Sequence, residues 1–156
     1  MKVVSEQPLS EISLRKYEKP HALKERELVK KLCLSLGMLQ PGDSRDVVVD
    51  VLHALLKSVR RKKLLNVAEI EKKVMQSRKL HRIAMLGVAS SNIRRQLKRL
   101  RNILIIEKVK SRYRVCEFMP LKELFETKIE KLVLQDISDR IKEYLSEADS
   151  AFGSRR

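Results

Sequence analysis

The sequence predicts a mainly α-helical fold carrying one small β-hairpin. Three observations predict it. Glycine and proline number four each in 156 residues, too few for the many turns of a sandwich or barrel. Apolar residues recur at spacings of three and four over most of the chain, the period of a helix with one buried face. After Asn102 that period gives way to two β-rich runs, Ile103 to Val109 and Arg112 to Phe118, with Lys110 and Ser111 between them.

Pro8 and Pro20 bracket a stretch that reads as a short helix or an ordered arm. From Leu23 to Leu36, the residues Leu28, Val29, Leu32, Cys33 and Leu36 keep helical spacing. Gly37 suits the position just past that helix, and Pro41 prevents its continuation. Asp43 or Ser44 is expected to cap the next helix. Its stripe is Val48, Val51, Leu52, Leu55, Leu56 and Val59, and it is expected to end in Arg60, Arg61, Lys62 and Lys63. Those four cations either complement the negative end of the helix dipole or contact phosphate. Asn66 with Glu69 reads as a variant capping box ahead of Val67, Ile70, Val74 and Met75. Arg78 to Leu86 has no strong period. Ser90 or Ser91 is expected to cap a further helix that buries Ile93, Leu97 and Leu100. Lys110 and Ser111 fit a very short hairpin loop, without the glycine that a type I′ turn favours. Pro120 suits the first position of a long terminal helix. That helix carries Leu121, Phe125, Ile129, Leu132, Ile137, Ile141 and Tyr144, with a break expected near Gln135 and Asp136. The division that follows is an N-terminal arm and helix (1–42), a central domain (43–119), a C-terminal helix (120–150) and a tail (151–156).

Charge is the most uneven property of the chain. It has 35 basic and 20 acidic side chains, a net +15. Residues 51–120 hold 19 basic and four acidic ones, so they carry the whole excess, while residues 1–50 are at net +1 and 121–156 at net −1. A basic centre between near-neutral flanks points to a polyanion partner. Cys33 and Cys116 are too few for a disulfide framework or, by themselves, a structural zinc site. His21, His53 and His81 lie far apart, and neither a phosphate loop, a nucleophile elbow nor a framed pair of catalytic carboxylates is present. The expectation is therefore a protein that is no enzyme and holds no metal or cofactor. With neither a leader nor a membrane-spanning run in view, the expected setting is the cytoplasm, in association with the nucleoid.

The basic segment runs helix, helix, helix, hairpin. Its second half reads Gly87-Val-Ala-Ser-Ser-Asn-Ile-Arg-Arg-Gln-Leu-Lys-Arg-Leu100, then Leu104 to Val109, then Arg112 to Val115. Over about residues 44–118 this resembles the winged helix-turn-helix superfamily. The size and flanking helices look like those of small archaeal or bacterial transcription regulators, including the multiple-antibiotic-resistance type. It departs from that type in lacking the Asp-x-Arg signature of a longer wing and in its long connection from Arg78 to Ser90.

The resemblance implies a winged helix-turn-helix core flanked by N- and C-terminal helices, with the third helix of the core in the major groove of double-stranded DNA. On that helix Asn92, Arg95 and Arg99 are the expected base contacts, since Arg matches guanine and Asn matches adenine in the major groove. Ser90, Ser91, Arg94 and Lys98, with Arg60, Arg61 and Lys62, are expected on the backbone. Lys108, Lys110, Arg112 and Arg114 form the expected basic wing, with Tyr113 turned to the core. Phe125, Ile129, Leu132, Ile137, Ile141 and Tyr144 are expected to make a homodimer interface, or to pack within the monomer. An RNA- or ribosome-associated module, and a protein-interaction module of a replication, repair or transcription complex, are the alternative readings.

Overall fold

The computed structural model describes residues 4–153 of the chain. Its elements are α1 (Glu25–Ser35), α2 (Val47–Lys57), α3 (Val67–Leu80), α4 (Ser90–Asn102), β1 (Ile106–Val109) and β2 (Arg112–Val115). A continuous C-terminal helix follows: α5 (Leu121–Leu124), a π-wound segment (Phe125–Leu134) and α6 (Gln135–Phe152). The fold is thus mainly helical with a small antiparallel hairpin. No described helix is long and apolar enough to cross a membrane.

The central element is α2, which packs against α1, α3, α4 and β2. Every residue from Val47 to Leu55 is buried. Its valines and leucines meet Val29 and Cys33 of α1, Ile70 and Val74 of α3, and Ile93, Leu97 and Leu100 of α4 in one core. The helix begins after Asp46, not after Asp43 or Ser44. Asp43 instead accepts a hydrogen bond from the Arg45 N–H at 2.9 Å in the preceding turn. It also ends at Lys57, so Arg60 to Lys63 lie in the following turn and not on the helix itself.

The capping box ahead of α3 is present. The Asn66 side chain accepts from the Glu69 N–H at 2.8 Å, and the Glu69 carboxylate accepts from the Asn66 N–H at 3.3 Å. Met75, expected in the core, is 43% exposed. Immediately before α3, Leu65 exchanges backbone hydrogen bonds with Tyr113, at 3.0 and 2.7 Å. That single bridge gives the hairpin a third, one-residue strand and ties the α2–α3 connection to β2.

Three helices end in the same hydrogen-bond pattern, in which a left-handed residue lets two N–H groups reach back. At α1 the left-handed residue is Gly37 (φ 72°), and a Cβ there would overlap the Ser13 carbonyl oxygen. At α3 it is Arg82 (φ 55°), with Ile83 N–H bonded to the Arg78 carbonyl at 2.8 Å. At α4 it is Leu104 (φ 65°), with Ile105 N–H bonded to the Leu100 carbonyl at 3.2 Å. Ile103 to Ile105 therefore belong to a helix end, and β1 starts only at Ile106. The hairpin register pairs Ile106 with Val115 and Val109 with Arg112, leaving Lys110 (φ 59°) and Ser111 as the loop.

Residues 4–24 form an arm without regular secondary structure. Arg15 holds it across the end of α1, donating to the carbonyls of Leu34 (3.1 Å) and Leu39 (3.3 Å) and to Gln40 Oε1 (2.6 Å). The C-terminal helix docks through Leu124 and Ile129, both fully buried, with Leu121 and Phe125 beside them. Leu121, Phe125, Ile129 and Leu134 follow one another at spacings of four and five. Winding with i→i+5 bonds, roughly 4.4 residues per turn, keeps such a spacing on one face. The helix does not break near Gln135, where φ −62° and ψ −43° are helical. Ile129 and Phe125, expected at a dimer interface, are used instead to anchor this helix to its own core.

A buried ion quartet links the helices. Arg26 of α1 donates to Asp50 (2.9 and 3.1 Å) and to Asp46 (3.2 Å). Arg78 of α3 donates to Asp46 and Asp50, both at 2.9 Å, and through Nε to the Ala84 carbonyl at 2.8 Å. Ser77 Oγ adds a bond to Asp50 at 3.0 Å. The Arg78 side chain is 1% exposed and that of Asp50 0%. Removing one member leaves uncompensated buried charge. Asp50→Ala is accordingly expected to lower the unfolding free energy by about 3–5 kcal/mol, measured by urea denaturation, whereas Lys30→Ala, which removes an exposed ammonium 3.7 Å from Asp46, should change it little.

Candidate nucleic-acid interface

The turn of each helical residue about its axis sorts α4 into three faces. Ile93, Leu97 and Leu100 are fully buried. Ser90, Ser91, Arg94, Arg95, Lys98 and Arg101 are exposed. Among the described residues, none of Arg94, Arg95, Lys98 and Arg101 forms an ion pair or side-chain hydrogen bond. Four cations thus share one helix side with no carboxylate against them. Arg101 belongs with this set, and its spacing of three from Lys98 and seven from Arg94 is the sequence signal for it.

The third face holds two of the expected base contacts. Asn92, Gln96 and Arg99 are half-buried and bonded in series. Asn92 Nδ2 donates to the Gly87 carbonyl at 2.7 Å. Gln96 Nε2 donates to Asn92 Oδ1 at 3.1 Å, and Arg99 Nη1 to Gln96 Oε1 at 2.7 Å. Arg99 Nη2 ends the series on the Met38 carbonyl at 2.9 Å. The series ties the loop before α4 to the segment after α1, so Asn92 and Arg99 are engaged within the chain. Arg95 is the one expected base contact left facing solvent. Gly87 fits this arrangement, for its φ is 76° and a Cβ would stand 3.0 Å from Asn92 Nδ2 and 3.2 Å from Val47 Cγ2.

Ser90 and Ser91 are the first two residues of α4 and not its cap. Ala89 holds the cap position, with neither a side-chain bond nor an acidic residue in the first turn. The first-turn N–H groups and the positive dipole end thus lack an anionic side chain of the chain's own.

The hairpin is basic on part of its surface. Lys110 at the tip and Arg112 are exposed and unpaired among the described residues, and Lys108 lies over the Tyr113 ring, 5.7 Å from its centroid. Tyr113 itself is buried, as its alternation with Arg112 and Arg114 implied. Arg114 is likewise engaged within the chain. It pairs with Glu107 across the hairpin at 3.4 Å and lies 5.0 Å from the Phe118 ring centroid, so it packs against its own hairpin. The α2–α3 turn brings Arg60, Arg61 and Lys62, all exposed, and Lys63, which pairs with Glu69 at 3.4 Å. The Glu69 carboxyl is held below its ordinary range by the Asn66 N–H first, and then by Lys63 and Arg112. The basic turn and the hairpin therefore meet electrostatically at the start of α3.

Burial pushes the Cys33 thiol up to about 12. His53 Nε2 lies 3.1 Å from Glu25 Oε2. Among the described residues no three His, Cys, Asp or Glu side chains converge to hold a metal ion. No protein-family model, curated protein or solved structure matches the chain.

Two outcomes follow from this geometry. Arg99→Ala should cost about 1 kcal/mol of stability by leaving the part-buried Gln96 and Met38 acceptors unpaired, read from the urea midpoint, with no change in the base preference of any bound nucleic acid. Burial would raise the Asp46 carboxyl, but the hydrogen bonds and charges of Arg78 and Arg26 outweigh it and hold it below its ordinary range. Its contribution should therefore be complete above about pH 4 and vanish as pH falls through the lower folded-state value; the urea midpoint followed from pH 7 to pH 2 checks this.

Proposed function

We propose that the chain is a sequence-specific double-stranded DNA-binding protein of winged helix-turn-helix build, acting as a transcription regulator in the cytoplasm at the nucleoid. The observation that carries the reading is the side of α4 on which Arg94, Arg95, Lys98 and Arg101 stand exposed without a carboxylate partner. A helix with side chains is about 10–12 Å across, the width of the major groove. Opposite the buried Ile93, Leu97 and Leu100, Arg95 is the residue best directed at base edges, where its guanidinium matches O6 and N7 of guanine. Arg94, Lys98 and Arg101, with the hydroxyls of Ser90 and Ser91 and the free first-turn amides, suit the flanking phosphates. Lys110 and Arg112 suit the neighbouring backbone or minor groove, and Arg60, Arg61 and Lys62 extend the same positive surface.

The reading is tested by binding to a duplex selected from a random pool. If Arg94, Lys98, Arg101, Lys110 and Arg112, with one cation of the Arg60–Lys62 turn, neutralise about six phosphates, log K should fall with log salt at a slope of roughly −5. Arg95→Ala should cost about 1–3 kcal/mol and relax preference at one base position, whereas Arg94→Ala should weaken all sequences alike and reduce the slope by about 1. A flat salt response would remove the electrostatic account. Equal or better competition by a structured RNA would redirect it to RNA.

A further inference from the structure

None of the eighteen residues of α6 is buried, yet the helix is not polar all round. Leu134, Ile137, Ile141, Tyr144, Ala148 and Ala151 repeat at spacings of three and four. That is the seam of a two-helix coil, with a period of 3.5 residues. It differs from the wider spacing that docks Leu121, Phe125 and Ile129 on the core. Ile141 is 52% and Tyr144 73% exposed, and Leu145 beside them is 57% exposed. A seam of this period fits a helix of the same period, and every copy of this chain carries one.

We infer that α6 pairs antiparallel with α6 of a second copy of the chain, about a two-fold axis passing between Lys142 and Glu143. Side-chain size and charge set the direction. The antiparallel register lays Leu134 against the partner's Ala151, Ile137 against the partner's Ala148 and Ile141 against the partner's Tyr144, large residues against small or bulky against bulky across each layer. A parallel pair would stack each alanine on its own copy and leave gaps. On one flank of the seam, Arg140 and Glu147 are seven residues apart. Antiparallel pairing brings Arg140 beside the partner's Glu147, and by symmetry Glu147 beside the partner's Arg140. Parallel pairing would set them against the partner's Leu145 and Phe152. In the single chain Arg140 Nε is 2.6 Å from Glu143 Oε2, and both are well exposed, so the guanidinium is free to exchange partners. Ile137, Ile141 and Tyr144 thus remain on the interface side, while Phe125 and Ile129 do not, and Leu132 lies outside the seam.

The inference stands apart from the nucleic-acid reading and is measured without nucleic acid. Light scattering on the full chain at tens of micromolar should give twice the mass of one chain. Ile141→Asp should give a monomer whose urea midpoint equals that of the wild type diluted until it too is monomeric, because α6 buries nothing in the single chain. R140E and E147R should each weaken association at least about tenfold by setting like charges together, and the double variant R140E/E147R should restore it to within a few-fold. A spin label at Ser150→Cys should report roughly 25 Å between copies at ~1.5 Å rise per residue. A monomeric wild type, a double variant no better than the singles, or a label separation near 10 Å would each overturn the inference.

Discussion

The arrangement of α1, α2 and α3 depends on one neutral set of buried charges, Arg26, Asp46, Asp50 and Arg78. Taking four ions out of water costs several kcal/mol each unless every one is paired and hydrogen-bonded. Here the two guanidiniums share the two carboxylates, Ser77 takes one more lone pair, and the Arg78 Nε–H finds the Ala84 carbonyl. Each bond has a direction, so the set is satisfied in one relative placement of three helices. Through Ala84 the same constraint reaches the α3–α4 connection, and from there the hydrogen-bond series of Asn92, Gln96 and Arg99 aims α4. A charge cluster remote from the solvent-facing arginines thus governs how they are presented.

Much of this was legible in the amino-acid pattern. The four helices of residues 25–102, the hairpin and its two-residue loop, the Asn66–Glu69 cap and the buried side of α4 all follow from spacing and residue type. What was not legible has identifiable causes. Helix ends at Arg82 and Leu104 use a left-handed residue that is not glycine, a backbone state costing roughly 1–2 kcal/mol, so no local signal marks them. The bridge at Leu65 is a single residue long. The quartet joins residues 20 to 32 positions apart, and each member alone reads as a surface charge.

The site divides in the same way. That α4 is basic opposite its apolar stripe is a matter of period and can be read directly. Which polar residues are occupied is not. Asn92 and Arg99 have the chemistry of base readers, but Gly87 and Met38 come from elsewhere in the chain to claim them. Arg114 is likewise taken by Glu107, its partner in the hairpin register. Only the tertiary fold separates a cation that is spent inside from one that is available.

The C-terminal helix has its own consequence. It is rooted in the core by Leu124 and Ile129 and then projects without burying a further residue. An unsupported helix of eighteen residues is marginal in water, so any surface that covers α6 also determines how much of it is wound. Helical content then becomes a function of concentration: dilution would unravel the outer turns while the rooted domain stays folded, and ordering of the tip is thermodynamically linked to assembly.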